Sequence, residues 1–229
     1  MTTFLQILMC LFAFVMNEPC PKLPVDDTDL AAVLIEVPVL NQYPTLPTGC
    51  EATAATMVLQ YFHEDIDHVT FASEWLNCEP VYDMEGLLYG PHPQQAFVGD
   101  PFSEYGLGCY AGAIEQAIQE HSVLCDATAI FDVSLESLAS QYIDQGIPVV
   151  IWATLELQSP EMGSSWLVED GSLFTWQSRE HCLVLVGYND WYYFVNDPQT
   201  GTCVQYPKFW FETRYHQMGA QAVVIEPVN

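Results

Sequence analysis

The chain has 229 residues, half of them hydrophobic, which is enough apolar material for one packed domain or two small ones. It carries 30 acidic residues and only 4 basic ones, giving a formal net charge of −26. That charge argues against nucleic-acid and anionic-membrane partners, whose negative charges would be repelled. We interpret the charge as keeping the protein soluble, and the alternative is that it attracts cationic peptides.

The N-terminus begins with an apolar run from Phe4 to Met16 that only Gln6 interrupts. The run is too short to span a bilayer as a helix and resembles the hydrophobic core of a secretory signal, although no Lys or Arg precedes it. The alternative is a hydrophobic segment packed on the domain. We therefore expect a signal-like leader at residues 1–17, a linker at 18–34, a folded domain at 35–229, and secretion or display at the cell surface.

The stretch from Val37 to Phe62 predicts a short strand, a proline-rich turn and a helix with Cys50 in its first turn. Thr48 and Glu51 have the spacing of a capping box, in which each side chain would bind the other residue's backbone N–H. The helix has no Gly or Pro after Glu51 and is rich in alanine.

The rest of the chain predicts further helices, then strands. In order, the patterns predict a short helix at 70–76, a long ordered loop at 77–109, a helix at 110–121, an extended segment at 124–131, a helix from Ser134 to Gln145 ended by Gly146, a buried strand at 147–153, a hairpin turning at Asp170-Gly171, strands at 181–188, 191–196 and 202–206, a helix at 207–218 and a last strand at 220–226. Helices followed by an antiparallel sheet predict an α+β domain. The long loop would either line a substrate cleft or lie on the surface.

Cys50 is a candidate nucleophile because of its position. A thiol in the first turn of a helix lies near unpaired N–H groups and the positive end of the helix dipole, both of which favour the thiolate. The side-chain amide of Gln42, across the turn, could join the Cys50 N–H in binding an oxyanion. The alternative is that Cys50 is a small core residue, the commonest role of a free cysteine.

His181 and Asp197 are the candidate partners of this cysteine. His181 begins one predicted strand and Asp197 ends the next, so a hairpin would bring them face to face. A carboxylate in that position fixes the imidazole tautomer and stabilises its charged form. Alternatively, His181 is a solvated strand-start residue and Asp197 caps an Asp-Pro turn.

Six further cysteines lie outside the leader and the candidate site. They are Cys20, Cys78, Cys109, Cys125, Cys182 and Cys203. Disulfides are permitted in an exported protein, but the sequence does not give their pairing. We expect no metal site and no cofactor, because the chain has no C-x-x-C motif and its histidines are scattered.

Five motifs together resemble bacterial cysteine-peptidase-like domains related to the bacteriocin-processing endopeptidases, within the papain-like superfamily. They are V-P-x-x-x-Q-x-P-x-L-P-T-G-C-E-A-T-A, F-V-G-D-P, I-P-V-V-I-W-A-T, H-C-L-V-L-V-G-Y and N-D-P-x-T-G, spread over residues 35–227. The resemblance implies a papain-like fold with the Cys50 helix packed on an antiparallel sheet. It implies Cys50 as nucleophile, His181 as general base and acid, Asp197 as its orienting residue and Gln42 in the oxyanion hole.

These implications predict a thiol hydrolase, a cysteine peptidase acting on peptide or protein substrates through an acyl-enzyme, and working as a monomer. The alternatives are a non-catalytic binding or surface module on the same fold and a thiol acyltransferase. Bacteriocin-processing peptidases are usually fused to a transporter, and no such segment is evident here, so we do not expect leader-peptide removal to carry over. Cys182, beside His181, should point to the opposite face of its strand, as a core residue or in a disulfide.

Overall fold

The computed structural model describes residues 33–228 and the backbone of residues 23–24. The predicted leader (1–17) lies outside these residues, as does most of the predicted linker (18–34). Two short segments from the linker region, 23–24 and 33–34, pair with strands of the main sheet. Within the described part of the chain, no helix is both long enough and apolar enough to cross a membrane.

The described helices match the predicted order. They are α1 (Cys50–Tyr61), α2 (His68–Thr70), α3 (Ala111–His121), α4 (Leu135–Gln141) and α5 (Lys208–Gln217), with a π-helical turn at Phe71–Trp75 and 3₁₀ turns at Ile143–Gln145 and Leu155–Leu157. The Ser134 hydroxyl accepts the Ser137 N–H at 3.1 Å and caps α4, as predicted. Gly146 follows the next turn at φ +80°, a left-handed conformation that glycine adopts without strain.

The strands form three sheets. In chain order they are β1 (Leu23–Pro24), β2 (Val33–Leu34), β3 (Cys78–Glu79), β4 (Tyr82–Met84), β5 (Leu87–Tyr89), β6 (Phe97–Val98), β7 (Cys125–Phe131), β8 (Val149–Thr154), β9 (Glu161–Leu167), β10 (Leu173–Ser178), β11 (Glu180–Tyr188), β12 (Tyr192–Asp197), β13 (Thr202–Pro207) and β14 (Gln221–Pro227). The main antiparallel sheet has the order β1-β13-β12-β11-β8-β14-β7, with β2 also paired to β11. A four-stranded sheet, β10-β9-β5-β4, and the pair β3-β6 complete the α+β class that the sequence predicts.

The core lies on both faces of the main sheet. All residues of β8 and β12 are buried, which requires cover on each side. Helix α1 packs against β11 and β8, and its residues 50–59 are all buried, since small alanine and threonine side chains allow close approach. Helix α5 also packs against β8, with Phe211 stacked on Tyr206 at a ring-centroid separation of 5.3 Å.

Two predictions about regular structure are wrong. The apolar run at 37–40 is not a strand, because the preceding segment β2 makes the pairing with the end of β11, and β11 already has β12 and β8 as its neighbours. The region 77–109 is not a loop throughout, since it contains β3 to β6. Its strand β5 pairs with β9, a partner so distant in sequence that local pattern could not reveal it.

Candidate active site

Cys50 begins α1, as predicted, at the base of a cleft. Gly49 is the N-cap residue and packs against Leu46, where a Cβ atom on Gly49 would lie 2.7 Å from the Leu46 Cβ. Cys50 is 6% exposed and lines this cleft.

The predicted capping box is wrong. No side chain caps the N-terminus of α1. Thr48 donates its hydroxyl to the Ser103 carbonyl at 3.0 Å, and Glu51 accepts the Cys109 backbone N–H at 2.6 Å. The reason is tertiary, because the loop at 100–109 covers the helix start and supplies partners that local spacing cannot anticipate.

His181 and Asp197 form the contact that the hairpin predicts. Strands β11 and β12 are adjacent and antiparallel, and His181 Nε2 lies 2.8 Å from Asp197 Oδ1. Both residues are buried, at 2% and 0% side-chain exposure. Because Asp197 engages Nε2, Nδ1 is the imidazole nitrogen left to exchange a proton with another group.

Gln42 lines the same cleft but directs its amide differently from the prediction. Its Nε2 donates to the carbonyls of Leu46 at 3.2 Å and Pro47 at 3.0 Å, closing the turn that precedes α1. The side chain is 4% exposed. Its amide is therefore present beside Cys50 with its hydrogens engaged by the backbone.

The cleft brings three of the four predicted site residues together. Its volume is about 400 Å³, and Gln42, Cys50 and His181 line it. Asp197 lies behind His181, buried from the cleft. Other lining residues include Gly106, Leu107, Leu155, Trp176, Arg179 and Glu180.

Two buried carboxyl groups beside Cys50 were not predicted. The Cys50 thiol donates to Glu51 Oε2 at 3.3 Å, and Glu51 is fully buried. Glu180, which precedes His181, is also buried. Cys50 Sγ and one carboxylate oxygen from each glutamate lie within 4.8 Å of one another, so these side chains could hold a metal ion.

Burial and these carboxyl groups act on the pKa of the cysteine in the direction opposite to the one expected. Burial raises the pKa of the Cys50 thiol well above its usual range, and the charges of Glu51 and Glu180 raise it further. Burial also raises the pKa of Glu51 to about 7. The pKa of Glu180 is raised by burial and then by Glu51. This direction is opposite to the one expected from the helix start, because burial of the thiol and the nearby carboxyl groups both raise its pKa.

The sequence does contain a signal for these two residues. Glu51 is the one charged residue in the otherwise apolar or small run from Cys50 to Leu59, and Glu180 stands next to an apolar strand. An isolated acid in a segment that is buried on all sides indicates a buried charge, which needs a partner or a proton.

The described cysteines are all free thiols: Cys50, Cys78, Cys109, Cys125, Cys182 and Cys203. Cys182 is fully buried opposite Trp152 of β8, so its interpretation as a core residue is confirmed. The disulfides that the sequence permits are absent among these residues.

Comparison with known proteins places this chain in a family. Residues 34–223 match the model of the Peptidase_C39 like family. The uncharacterized protein YvpB of Bacillus subtilis is 30% identical over 196 residues, which is 84% of this chain and 75% of YvpB. A crystal structure of a Bacillus anthracis protein, provisionally described as a C39-like peptidase, has a TM-score of 0.74 at 28% identity, covering 88% of this chain and 98% of that one.

Two more distant structures share the fold. A double-glycine-motif protease of an AMS/PCAT transporter, solved with its leader peptide, has a TM-score of 0.51 at 17% identity, covering 86% of this chain and 96% of that one. The peptidase domain of Streptococcus ComA has a TM-score of 0.50 at 12% identity, covering 84% of this chain and all of that one. The chain therefore belongs to the Peptidase_C39 like family, and its fold is that of the papain-like cysteine peptidases.

Proposed function

We propose that this protein is a thiol hydrolase, a cysteine peptidase that cleaves peptide bonds through an acyl-enzyme. The observation that carries the proposal is that Cys50 and His181 open into one cleft while Asp197 binds His181 from behind. A nucleophile, a base and a residue that orients the base are the parts that acyl transfer needs. Membership of a peptidase-like family supports the same chemistry.

The proposed reaction moves one proton through His181 in each of its two stages, formation and hydrolysis of the acyl-enzyme. Cys50 gives its proton to His181 Nδ1 as the sulfur attacks the peptide carbonyl carbon. His181 then passes that proton to the leaving nitrogen as the C–N bond breaks, which leaves a thioester on Cys50. A water molecule gives a proton to His181 as it attacks the thioester carbon. The C–S bond then breaks, and His181 returns that proton to the released sulfur.

Oxyanion binding is proposed for the Cys50 backbone N–H and the Gln42 amide. An N–H at the first turn of a helix has no partner within the helix, so the Cys50 N–H is suited to an oxyanion. Gln42 lines the same cleft, and its Nε2 would exchange a backbone carbonyl for the oxyanion during the reaction.

The resting thiol requires activation during attack. Its Sγ lies 3.3 Å from Glu51 Oε2 as a donor, and burial raises its pKa, which favours the neutral thiol. His181 therefore acts as a general base at the moment of attack in this proposal, and not as one half of a permanent ion pair.

A second candidate is a non-catalytic binding module on the same fold. The observation that favours it is the Cys50–Glu51 hydrogen bond, which occupies the thiol in the described state. The two functions differ in the reactivity of Cys50. A nucleophile that His181 can activate reacts faster than other thiols, whereas a core cysteine does not.

The test is cleavage of a diverse peptide mixture, followed by mass spectrometry. We expect the wild-type protein and a Cys78→Ser control, which removes an exposed thiol, to give the same cleavage products. Cys50→Ala should give none while keeping the wild-type circular dichroism spectrum. Cleavage that persists in Cys50→Ala would show that another group performs the reaction.

Iodoacetamide labelling decides the case in which the wild-type protein cleaves nothing. If Cys50 is then labelled no faster than Cys78, the binding module is the better assignment. If Cys50 is labelled faster and the advantage disappears in His181→Ala, the enzyme is competent and lacks only its substrate. Products formed with added amines would identify acyl transfer in place of hydrolysis.

A further inference from the structure

Cys50, Glu51 and Glu180 form a compact group of ligand atoms at the base of the cleft. One sulfur and two carboxylate oxygens lie within 4.8 Å of one another, and all three residues are buried. Cys50 and Glu51 come from the start of α1, whereas Glu180 comes from the start of β11. Cys50 and Glu180 both line the cleft, which gives a small solute a route to the group.

Glu180 has an oxygen that lacks a protein partner. Its Oε1 accepts no hydrogen bond from the described residues, and the residue is 8% exposed. Two of the described basic side chains have partners elsewhere, since Arg179 binds Glu161 and Lys208 lies over the rings of Tyr188 and Tyr193. Leaving a buried carboxylate oxygen without a partner is costly, so this atom needs either a proton or a positive group, and a bound cation would supply the second.

Glu51 is already held as a metal-binding carboxylate would be. Its Oε1 accepts the Cys109 backbone N–H at 2.6 Å, which leaves Oε2 facing the thiol at 3.3 Å. Carboxylates that bind metals are usually held in place by hydrogen bonds of this kind. The orientation of Glu51 is thus set by the backbone and not by the ion.

Gly108, in the loop at 100–109, lies directly against the two carboxyl groups. It adopts φ +143°, and a Cβ atom there would lie 2.5 Å from Glu51 Oε1 and 2.9 Å from Glu180 Oε2. Any larger residue would push the two carboxyl groups aside. Because Gly108 has no side chain, its backbone can lie against both carboxyl groups at the same point.

We propose that Cys50, Glu51 and Glu180 bind a divalent cation of borderline softness, such as Zn²⁺, at the base of the cleft. Zn²⁺ accepts thiolate and carboxylate ligands together, typically at about 2.3 Å and 2.0–2.2 Å in tetrahedral geometry. Neighbouring sulfur and oxygen ligands are then about 3.6 Å apart. The Cys50–Glu51 separation of 3.3 Å is already close to that value. The fourth position would face the cleft and hold water.

Binding would block the proposed reaction. Coordination releases the thiol proton to solvent and engages the sulfur lone pair in a bond to the metal, so Cys50 could not attack a carbonyl group. This consequence rests on the proposed peptidase function, but the site itself does not. Metal binding is measured without turnover, and either proposal can fail while the other stands.

The test is calorimetric titration of the metal-free, full-length protein with Zn²⁺ under reducing conditions. We expect one tight site per chain. Binding at that site should weaken at least tenfold in Glu180→Gln and in Cys50→Ala, because each variant removes a ligand. Glu74→Gln removes an exposed carboxylate and is the control, in which the tight site should be unchanged. His181→Ala should also keep the site, since the imidazole is not among the ligands.

Titration with Cd²⁺ tests the sulfur ligand directly. A cadmium–thiolate bond gives an ultraviolet charge-transfer band, and this band should be weaker in Cys50→Ala than in the wild type. Three outcomes would overturn the proposal: no tight Zn²⁺ site in the wild type, equal binding in all variants as for a non-specific acidic surface, or loss of the site in His181→Ala but not in Glu180→Gln. Should Glu180→Gln fail to fold, Cys50→Ala and the cadmium band decide the result.

Discussion

At the level of single residues, Gln42 is the predicted site residue whose surroundings differ most from expectation. Its amide nitrogen stabilises the turn before α1 through the carbonyls of Leu46 and Pro47. The same amide lies in the cleft with Cys50. A residue in that position can serve both structure and catalysis, and the two roles predict different effects of removing the amide.

We expect Gln42→Ala to lower kcat by roughly a hundredfold, the usual cost of losing one oxyanion donor, with KM nearly unchanged because the contact forms in the transition state. Steady-state kinetics on a peptide that the wild-type protein cleaves will measure this, at a temperature where circular dichroism shows both proteins folded. Gln116→Ala, which removes an exposed amide on α3 that bonds to Glu120 of the same helix, should retain wild-type kinetics. An unchanged kcat in Gln42→Ala would leave this residue only its role in the turn.

Glu51 shows the limit of reasoning from short motifs. The spacing of Thr48 and Glu51 satisfies the capping-box pattern, yet both side chains bind the loop at 100–109 instead. By contrast, the contact between His181 and Asp197 could be predicted, because adjacent strands joined by a tight turn fix which residues meet. Glu180 could be recognised as unusual in the sequence but not placed beside Cys50.

At the level of elements, the link between α1 and the loop at 100–109 shapes one wall of the cleft. Thr48 donates to the Ser103 carbonyl, and Gly106 lies so close that a Cβ atom on it would be 2.4 Å from the Thr48 hydroxyl oxygen. Gly106 and Leu107 line the cleft directly. The hydroxyl therefore joins the helix that carries Cys50 to the loop that faces it.

We expect Thr48→Val to destabilise the protein by about 1 kcal/mol, because it removes this hydrogen bond at nearly constant volume. Hydrogen-exchange mass spectrometry should show faster exchange in the peptides that cover 100–109 and little change in β8 and β11. Thr213→Val is the matched control, since its hydroxyl donates to the Phe209 carbonyl within its own helix. Unchanged exchange in the loop would mean that packing alone holds it against α1.

At the level of the whole molecule, one core supports both halves of the candidate site. Gln42 and Cys50 come from the N-terminal part of the chain, whereas His181 and Asp197 come from the sheet. Helix α1 covers β11 and β8 beside the cleft, and α5 packs against β8 and carries Phe211. A defect at α5 should therefore weaken the whole fold rather than one element.

We expect Phe211→Ala to lower the free energy of unfolding by about 3–5 kcal/mol, because it leaves a cavity where a fully buried ring stacks on Tyr206. Phe209→Ala, two residues earlier and 70% exposed, should change it by no more than about 0.5 kcal/mol. Urea unfolding followed by fluorescence and by circular dichroism will compare the two variants. Non-coincident transitions in the two signals would show that the core is not a single cooperative unit.

The sequence by itself determined the α+β class, most helices and strands, and the positions of Cys50, His181 and Asp197. These features depend on hydrophobic periodicity, helix ends and hairpin geometry, all of which act over short distances along the chain. Export and the role of the leader remain predictions from the first 17 residues.

Only the tertiary structure decided the environment of the candidate nucleophile. It placed Glu180 from β11 and Glu51 from α1 around Cys50, and it covered them with the loop that carries Gly108. The physical reason is that burial and the charges of other side chains set the properties of a thiol or carboxyl group, and both depend on residues that lie far apart in the chain. A sequence pattern can identify a cysteine at a helix start, but only the packing determines which groups surround its sulfur.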